Sequence, residues 1–372
     1  MSDRVRIGLT GDVMLGRNVD RRQRHPSREP AAVWGDVCER LRSLDALVIN
    51  LECCLSTRGE PWERTYRPFH FRADPSWAIP ALEAAGVDCC ALANNHVLDF
   101  EEPALVDTLD HLDEVGIARA GAGRTLDEAL EPAVFEVDGG DDAGDDAGDD
   151  AGDDAGDDAG DDAGDDGEWT GDPGGTDGLS IAVVSLTDNT PEYGAGADEP
   201  GTAHVDIDVD DERTRTRVET AMERARGAEP DLLVASLHWG PNMVTEPPPS
   251  FESFGRWLVD RGVDVVHGHS AHVFQGIEVH DGAPILYDAG DFVDDYAVDR
   301  ELRNDRGFLF ELHLDDDAVP AELRLVPTEI RDCSVHLADG DTATWSRERI
   351  RERSSPYGTT FERDGEELVL AL

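Results

Sequence analysis

Leu232-Leu-Val-Ala-Ser-Leu-His238-Trp-Gly240 and, further along, Val263-Asp-Val-Val-His267-Gly-His269-Ser-Ala-His272 share one design: a short apolar run rich in β-branched residues that ends abruptly in imidazole and glycine. Residues 251–260, between them, carry a helical apolar pattern. Buried strands that alternate with helical patterns belong to an α/β layered fold. Polar side chains at the carboxyl ends of such strands lie where α/β folds assemble their sites.

The same unit recurs outward in both directions. Residues 4–10, 46–50, 87–93 and 181–186 read as further buried strands, and residues 75–85, 103–115 and 211–226 as helices. The alternation predicts an α/β layered fold. Later runs at 283–288, 308–314 and 322–327 have no helices between them and predict an antiparallel completion of a second sheet. The expectation is an α/β sandwich of two sheets flanked by helices, one domain over residues 1–372 with an insertion at about 138–178. The heart of that insertion, residues 141–167, is six copies of Asp-Asp-Ala-Gly followed by Asp-Asp-Gly. It has no apolar material to offset its ordering entropy and is expected to be disordered. Its four-residue period is too short for a solenoid, and it lacks the residue variety of an EF-hand loop.

Acidic residues number 83 against 32 basic ones, for a formal net charge of −51; the 18 acidic residues of 138–178 leave −33 on the rest. Such a field repels phosphate backbones and anionic bilayers, which excludes a charge-driven nucleic-acid or membrane-surface binder. Arginine supplies every basic side chain, for the chain contains no lysine. This balance predicts adaptation to high salt, where screening relieves self-repulsion. Residues 1–12 enter a strand pattern without an apolar targeting segment, and no apolar run approaches spanning length. Cytoplasmic residence without membrane insertion is expected. The six cysteines lack CxxC spacing and read as reduced, small buried residues.

The chemistry gathers where strands end: Gly11-Asp12, Asn50-Leu51-Glu52, Ala93-Asn94-Asn95-His96, His238-Trp-Gly240, and His267 through His272. Any one of these alone reads as a turn, a cap or a structural histidine. Five clusters at strand ends of matching polarity read together as a metal site. Carboxylates, an amide oxygen and imidazoles are donors for divalent zinc, manganese or iron. Glycines beside Asp12, His238 and His269 permit sharp strand-to-loop turns.

Gly11-Asp-Val-Met-Leu-Gly-Arg17, Asn50-Leu-Glu52, Leu92-Ala-Asn-Asn-His96-Val-Leu-Asp99, His238-Trp-Gly240 and Gly268-His-Ser-Ala-His272-Val-Phe-Gln-Gly-Ile-Glu278 resemble the successive motifs of the CapA-type poly-γ-glutamate capsule biosynthesis family. The stretch from Gly116 to Ala129 is similar to it as well, and the likeness runs from about residue 5 to 293 around the acidic tract. That family is related to the calcineurin-like metallophosphatases, so the resemblance implies an αββα sandwich of two mixed sheets and a site for one or two divalent ions (Mn, Fe or Zn). It makes Asp12, Glu52, Asn95, His238, His269 and His272 the ligands, with Glu52 in the bridging position. It makes His96, held by Asp99, the acid that protonates a leaving oxygen, and Arg17 a clamp on phosphate oxygens. The alternative for Asp99 is a helix N-cap before Glu101-Glu102. Two departures stand out. Asp12-Val-Met14 replaces the superfamily's Asp-x-His, and Asp288 and Asp291 stand where the family commonly has serine and asparagine. Family members are typically membrane-tethered, which this chain's lack of a spanning run does not match.

Three functions follow as expectations: a metal-dependent phosphoester hydrolase, a non-enzymatic accessory component of polyglutamate capsule assembly with other capsule-synthesis proteins as partners, or a metal-dependent hydrolase of the polymer's amide bonds. The substrate is a small molecule or polymer bearing phosphoester or polyglutamate, not nucleic acid.

Overall fold

Period-two alternation decides what each strand faces. In the strand Ala46–Leu51, Ala46 and Val48 enter one apolar core while Leu47, Ile49 and Leu51 enter another. In Leu232–His238, Leu232 and Val234 enter the first of these cores and Leu233, Ala235 and Leu237 a third. The computed structural model, which describes residues 5–137 and 178–372, thereby shows two mixed sheets that share a central core.

The first sheet runs Glu362–Asp364, Glu367–Ala371, Pro320–Arg331, Arg306–Leu314, Arg6–Val13, Ala46–Leu51, Cys89–Ala91, Ala118–Ala120. Asp291–Val293 lies parallel to the end of Arg6–Val13, and Ser334–Leu337 pairs with Pro320–Arg331. The second sheet runs Ile277–His280, Ala283–Leu286, Val265–His269, Leu232–His238, Leu179–Thr187, Ala133–Val137, and its four middle strands are mutually parallel. Helices cover both outer faces. Pro75–Ala85 and Glu101–Glu114 pack on the first sheet, and Glu212–Gly227 and Pro249–Val259 on the second. The local signals are ordinary ones: Asp74 and Asp211 cap their helices by accepting from Ser76 and Thr214, and Gly86 ends the first at φ 73°.

The helices and six early strands lie where alternation predicts them, within a few residues. The late runs do not. Of the three, only Ala283–Leu286 joins the second sheet, antiparallel to Ile277–His280 on one side as expected and parallel to Val265–His269 on the other. Arg306–Leu314 and Pro320–Arg331 extend the first sheet, antiparallel, from the edge of Arg6–Val13. The cause is the crossing at Asp291–Val293, which carries the chain from one sheet to the other. Phe308, Phe310 and Leu312 then face the shared core from the opposite side.

Five of the six cysteines are buried and Cys333 is half-buried; all are free thiols, and burial raises the pKa of each buried one. Apart from Gly178, the acidic insertion at 138–178 lies outside the described residues. No helix among the described residues is long and apolar enough to cross a membrane.

The core between the sheets changes character along the strands. At their amino ends it is Ile7, Leu9, Val48, Ile181, Leu232 and Val265. At the carboxyl ends, positions of the same parity are Asn50, Ser185, Thr187, Ser236, His238, His267 and His269, all at most 2% exposed. Each apolar side chain given up there forgoes roughly 1.5–3 kcal/mol of burial, so this end is built for something other than stability.

Candidate metal centre

Asp12 would face the wrong way in a regular strand. Ile7 and Leu9 point between the sheets, so an even-numbered residue should point to the helices. The register against Ala46–Leu51 slips between Leu9 and Asp12, pairing Leu9 with Val48 but Asp12 with Asn50. This bulge returns Asp12 to the central face beside Asn50. Gly11 makes the bulge possible. A Cβ there would sit 2.0 Å from the Gly290 carbonyl oxygen. Met14 packs into the helix-side core, so no donor replaces the imidazole of Asp-x-His at that position.

Around the Asp12 carboxylate the predicted ligands converge. Oδ1 lies 3.7 Å from His238 Nδ1 and 3.5 Å from His269 Nδ1, and Oδ2 lies 3.4 Å from His272 Nδ1. Glu52 Oε1 is 3.8 Å from both His238 Nε2 and His96 Nε2. Two groups have donor atoms within 4.8 Å of one another, Asp12–His238–His269 and Asp12–Glu52–His272, and they share Asp12. Asn95 stands at the edge, half-buried, with its backbone carbonyl accepting from Arg67. Its neighbour Asn94 is structural, spending its amide on Asn50 and Leu51 and its oxygen on the N–H groups of His96 and Val97.

Whether these residues fit a cation is decided by their unpaired atoms. Asp12 Oδ2, both Glu52 oxygens, Asn95 Oδ1, His238 Nε2 and Asp291 Oδ2 are buried without a hydrogen-bond partner. One such atom costs about 1–3 kcal/mol. Six in one cluster, three of them on Asp12 and Glu52, which are fully buried, match the donor set of a divalent ion.

Electrostatics point the same way. Burial drives His238 down to about 3 and His269 well below the usual imidazole range, against the pull of Asp12, so both rings are neutral donors. Burial also opposes ionisation of Asp12, but the adjacent imidazoles of His272, His238 and His269 outweigh it and hold its carboxyl low. Burial, reinforced by the Asp12 charge, lifts Glu52 well above the usual range. Two adjacent carboxylates in a dry site need a compensating cation to ionise together.

His96 lies beside this cluster. Its Nδ1 is 2.5 Å from Asp99 Oδ2, whose other contacts are Phe71 N–H at 2.7 Å, Tyr193 Oη–H at 3.0 Å to Oδ1, and Arg67 at 3.5 Å. Asp99 is therefore committed to His96. It does not cap the helix Glu101–Glu114, whose N-cap residue is Phe100. Arg17 begins a helix in left-handed backbone, φ 55°, with its guanidinium over Phe69, Phe71 and Tyr296. Phe71 packs on His96 and Tyr296 on His272, so Arg17 sits one aromatic layer from both, held 3.4 Å from Asp295.

Sequence reasoning gave no role to Asn50, although it lay in a strand-end cluster, and missed Arg67 altogether. Asn50 donates to Asp12 Oδ1 at 2.6 Å and lies 3.4 Å from His238 Nδ1; its shared parity with Glu52 was the signal. Arg67, which bridges Asn95, Asp99 and Thr190, comes from the irregular stretch between Thr57 and His70 and carries no periodic signal. Asp288 and Asp291 also part company. Asp288 is a loop staple, accepting from Ala271 and Gly290, while Asp291 faces His272 at 2.8 Å.

The chain is similar to proteins of capsule synthesis. The family described as Bacterial capsule synthesis protein PGA_cap matches residues 6–296. A Mycobacterium tuberculosis protein named "Probable polyglutamine synthesis accessory protein" is 29% identical over 96% of this chain and 93% of its own length. The "Capsule biosynthesis protein CapA" of Bacillus anthracis is 24% identical over 90% of this chain and 69% of its own, and the "PGA biosynthesis protein CapA" of Bacillus subtilis is 22% identical over 80% and 65%. With its motif series matched across more than three quarters of its length, the chain belongs to the bacterial capsule synthesis protein PGA_cap family.

Proposed function

We propose that this protein is a divalent-metal-dependent phosphoester hydrolase of calcineurin-like architecture, formed by residues 1–372 as one domain and serving poly-γ-glutamate capsule biosynthesis. The observation that carries the reading is the pair of donor groups sharing Asp12, with unpaired oxygens and nitrogen directed into them. Asp12, His238 and His269 would hold one ion, and Asp12, Glu52 and His272 another, with Asn95 at the margin. When bound, such an ion polarises a phosphoryl oxygen and makes a neighbouring water nucleophilic at neutral pH.

The remaining roles belong to the chain's own residues. Asp99 fixes His96 with Nδ1 toward itself and Nε2 toward Glu52. A protonated His96 can therefore release a proton from Nε2 to a departing oxygen. Arg17 and Arg67 are the guanidiniums beside this pair, suited to the non-bridging oxygens of an anionic substrate. In a chain of net charge −51 they supply the local positive field.

Metal analysis of protein purified at high salt, with hydrolysis of an aryl phosphate, tests the proposal. His238→Ala should lose bound metal. His96→Ala should keep it and lose turnover. Wild-type protein that is metal-free and inert would overturn the reading. The printed name of the mycobacterial relative favours a second reading, an accessory of polymer assembly without turnover. Deleting the gene and measuring γ-linked glutamate polymer tests that role, and unchanged polymer would sink it.

A further inference from the structure

Asp291 is 2% exposed, and its Oδ1 lies 2.8 Å from His272 Nδ1, nearer than Asp12 Oδ2 at 3.4 Å. The backbone fixes this placement. Asp291 opens the short parallel strand beside Asp12 and is its direct partner in register. His272 is itself held in left-handed backbone at φ 60°, in a loop pinned by Ala271 N–H to Asp288 Oδ2 and by Asn189 to Ser270. Three residues on, Asp294 accepts from the N–H of Tyr296, whose ring packs on His272.

An imidazole that binds a cation offers one ring nitrogen, and the hydrogen bond at the other decides which. A carboxylate at Nδ1 takes the N–H, leaves the Nε2 lone pair as the only donor, and makes the ring more basic. We infer that Asp291 is a positioning residue for the metal centre: it fixes the tautomer and orientation of His272 and so strengthens the Asp12–Glu52–His272 position. Asparagine at this position could accept the same hydrogen bond but not add the charge. The inference rests on the metal-site reading above.

The test uses the full-length chain at high potassium chloride, titrated with Mn²⁺ by calorimetry and with Co²⁺ by visible absorption. Wild type should bind two ions. In Asp291→Ala the affinity of one position should fall at least tenfold, with a changed cobalt spectrum, consistent with the usual cost of losing a carboxylate behind a ligating histidine. Asp291→Asn should recover part of that loss, because it restores the hydrogen bond. Asp291→Ala within twofold of wild type at both positions would overturn the inference. So would Asp291→Asn as weak as Asp291→Ala, since orientation would then contribute nothing. If Asp291→Ala does not fold, Asp291→Asn decides alone: a loss severalfold or greater supports the inference and unchanged affinity refutes it. Wild-type protein that binds no ion at all would instead remove the underlying metal reading, an outcome distinguishable from either variant's result.

Discussion

Gly11→Ala should damage the metal centre without touching a ligand. The added Cβ would lie 2.0 Å from the Gly290 carbonyl oxygen and 2.7 Å from its carbon, both backbone atoms, so neither can rotate aside. Real Cβ contacts stay beyond 3.0 Å, and the bulge must therefore part from the 289–290 loop by about 1 Å. That movement lengthens the Asp12 N–H to Gly290 hydrogen bond, now 2.8 Å, at a cost of about 1 kcal/mol. Overpacking adds about 1–3 kcal/mol. With an unfolding entropy of roughly 2 cal/mol/K per residue, a chain of this length loses about 3–5 °C of melting temperature. The larger effect is on the carboxylate. Ligand distances tolerate about 0.2 Å, so a shift several times that should cut metal affinity by tenfold or more. Calorimetric melting and metal content per chain measure the two effects. Gly8→Ala is the control, since its Cβ closely approaches only the side-chain ends of Leu44 and Leu47 and meets the Ala46 carbonyl oxygen at an ordinary 3.7 Å; it should bind metal normally. If Gly11→Ala keeps wild-type metal and melts within about 1 °C of it, the account of the bulge is wrong.

Arg40 grips the nearly fully buried Glu311, with Nη2 to Oε2 at 2.9 Å, and also Glu367. Arg40→Met should cost about 3–5 kcal/mol by stranding a buried carboxylate, and Arg40→Met with Glu311→Met should recover most of it; denaturant melts of the single and double variants decide. Burial, with the Asp206 charge, pushes Asp188 up to about 6 from an ordinary 3.8, so the fold prefers its protonated form. Its ionisation therefore destabilises above pH 6, by up to about 3 kcal/mol, and the penalty vanishes below the unfolded value near 4. Asp188→Asn, which can still accept from Gly240 N–H, should stabilise above pH 6 and do nothing below pH 4; parallel melts across pH would contradict this. Chelation should lower the melting temperature by roughly 3–4 °C relative to protein holding metal at a hundred times its Kd, and His238→Ala should abolish the difference. With −33 outside the acidic insertion, melting temperature should rise as potassium chloride screens self-repulsion; a fall would refute salt adaptation.

Elements whose apolar pattern is local were legible. The strand Leu232–His238 and the helix Pro75–Ala85 are stated by their own residues, because one period fits each and a capping or terminal signal closes it. Sheet membership was not. Phe308 through Leu314 alternate in the same way whichever sheet receives them, and only the parallel contact of Asp291–Val293 with Arg6–Val13 decides the outcome. Pairing is a property of where the chain crosses, and periodicity carries no information about crossings.

The site divides along the same line. Imidazoles that follow apolar strands declare themselves by type and place, and His238, His269 and His272 gather around Asp12 as expected. Asp12 itself was assigned by its neighbours in sequence, yet it reaches the central face only because one extra residue reverses the parity of its strand. Asp99 was ambiguous for a related reason: a carboxylate ahead of a helix can serve the helix or the histidine three residues before it. Here the bond to His96 Nδ1, supported by Phe71 N–H and the Tyr193 hydroxyl, fixes it on the histidine. Phe71 and Tyr193 come from distant parts of the chain, so the contacts that hold Asp99 on His96 rather than on the helix exist only in three dimensions. The same holds for Asp288 and Asp291. Two acidic residues three apart in one loop are indistinguishable by composition, but one spends both oxygens on backbone N–H groups while the other keeps one for His272. Chemistry that depends on residue type can be read along the chain; chemistry that depends on which atom is left unpaired must wait for the fold.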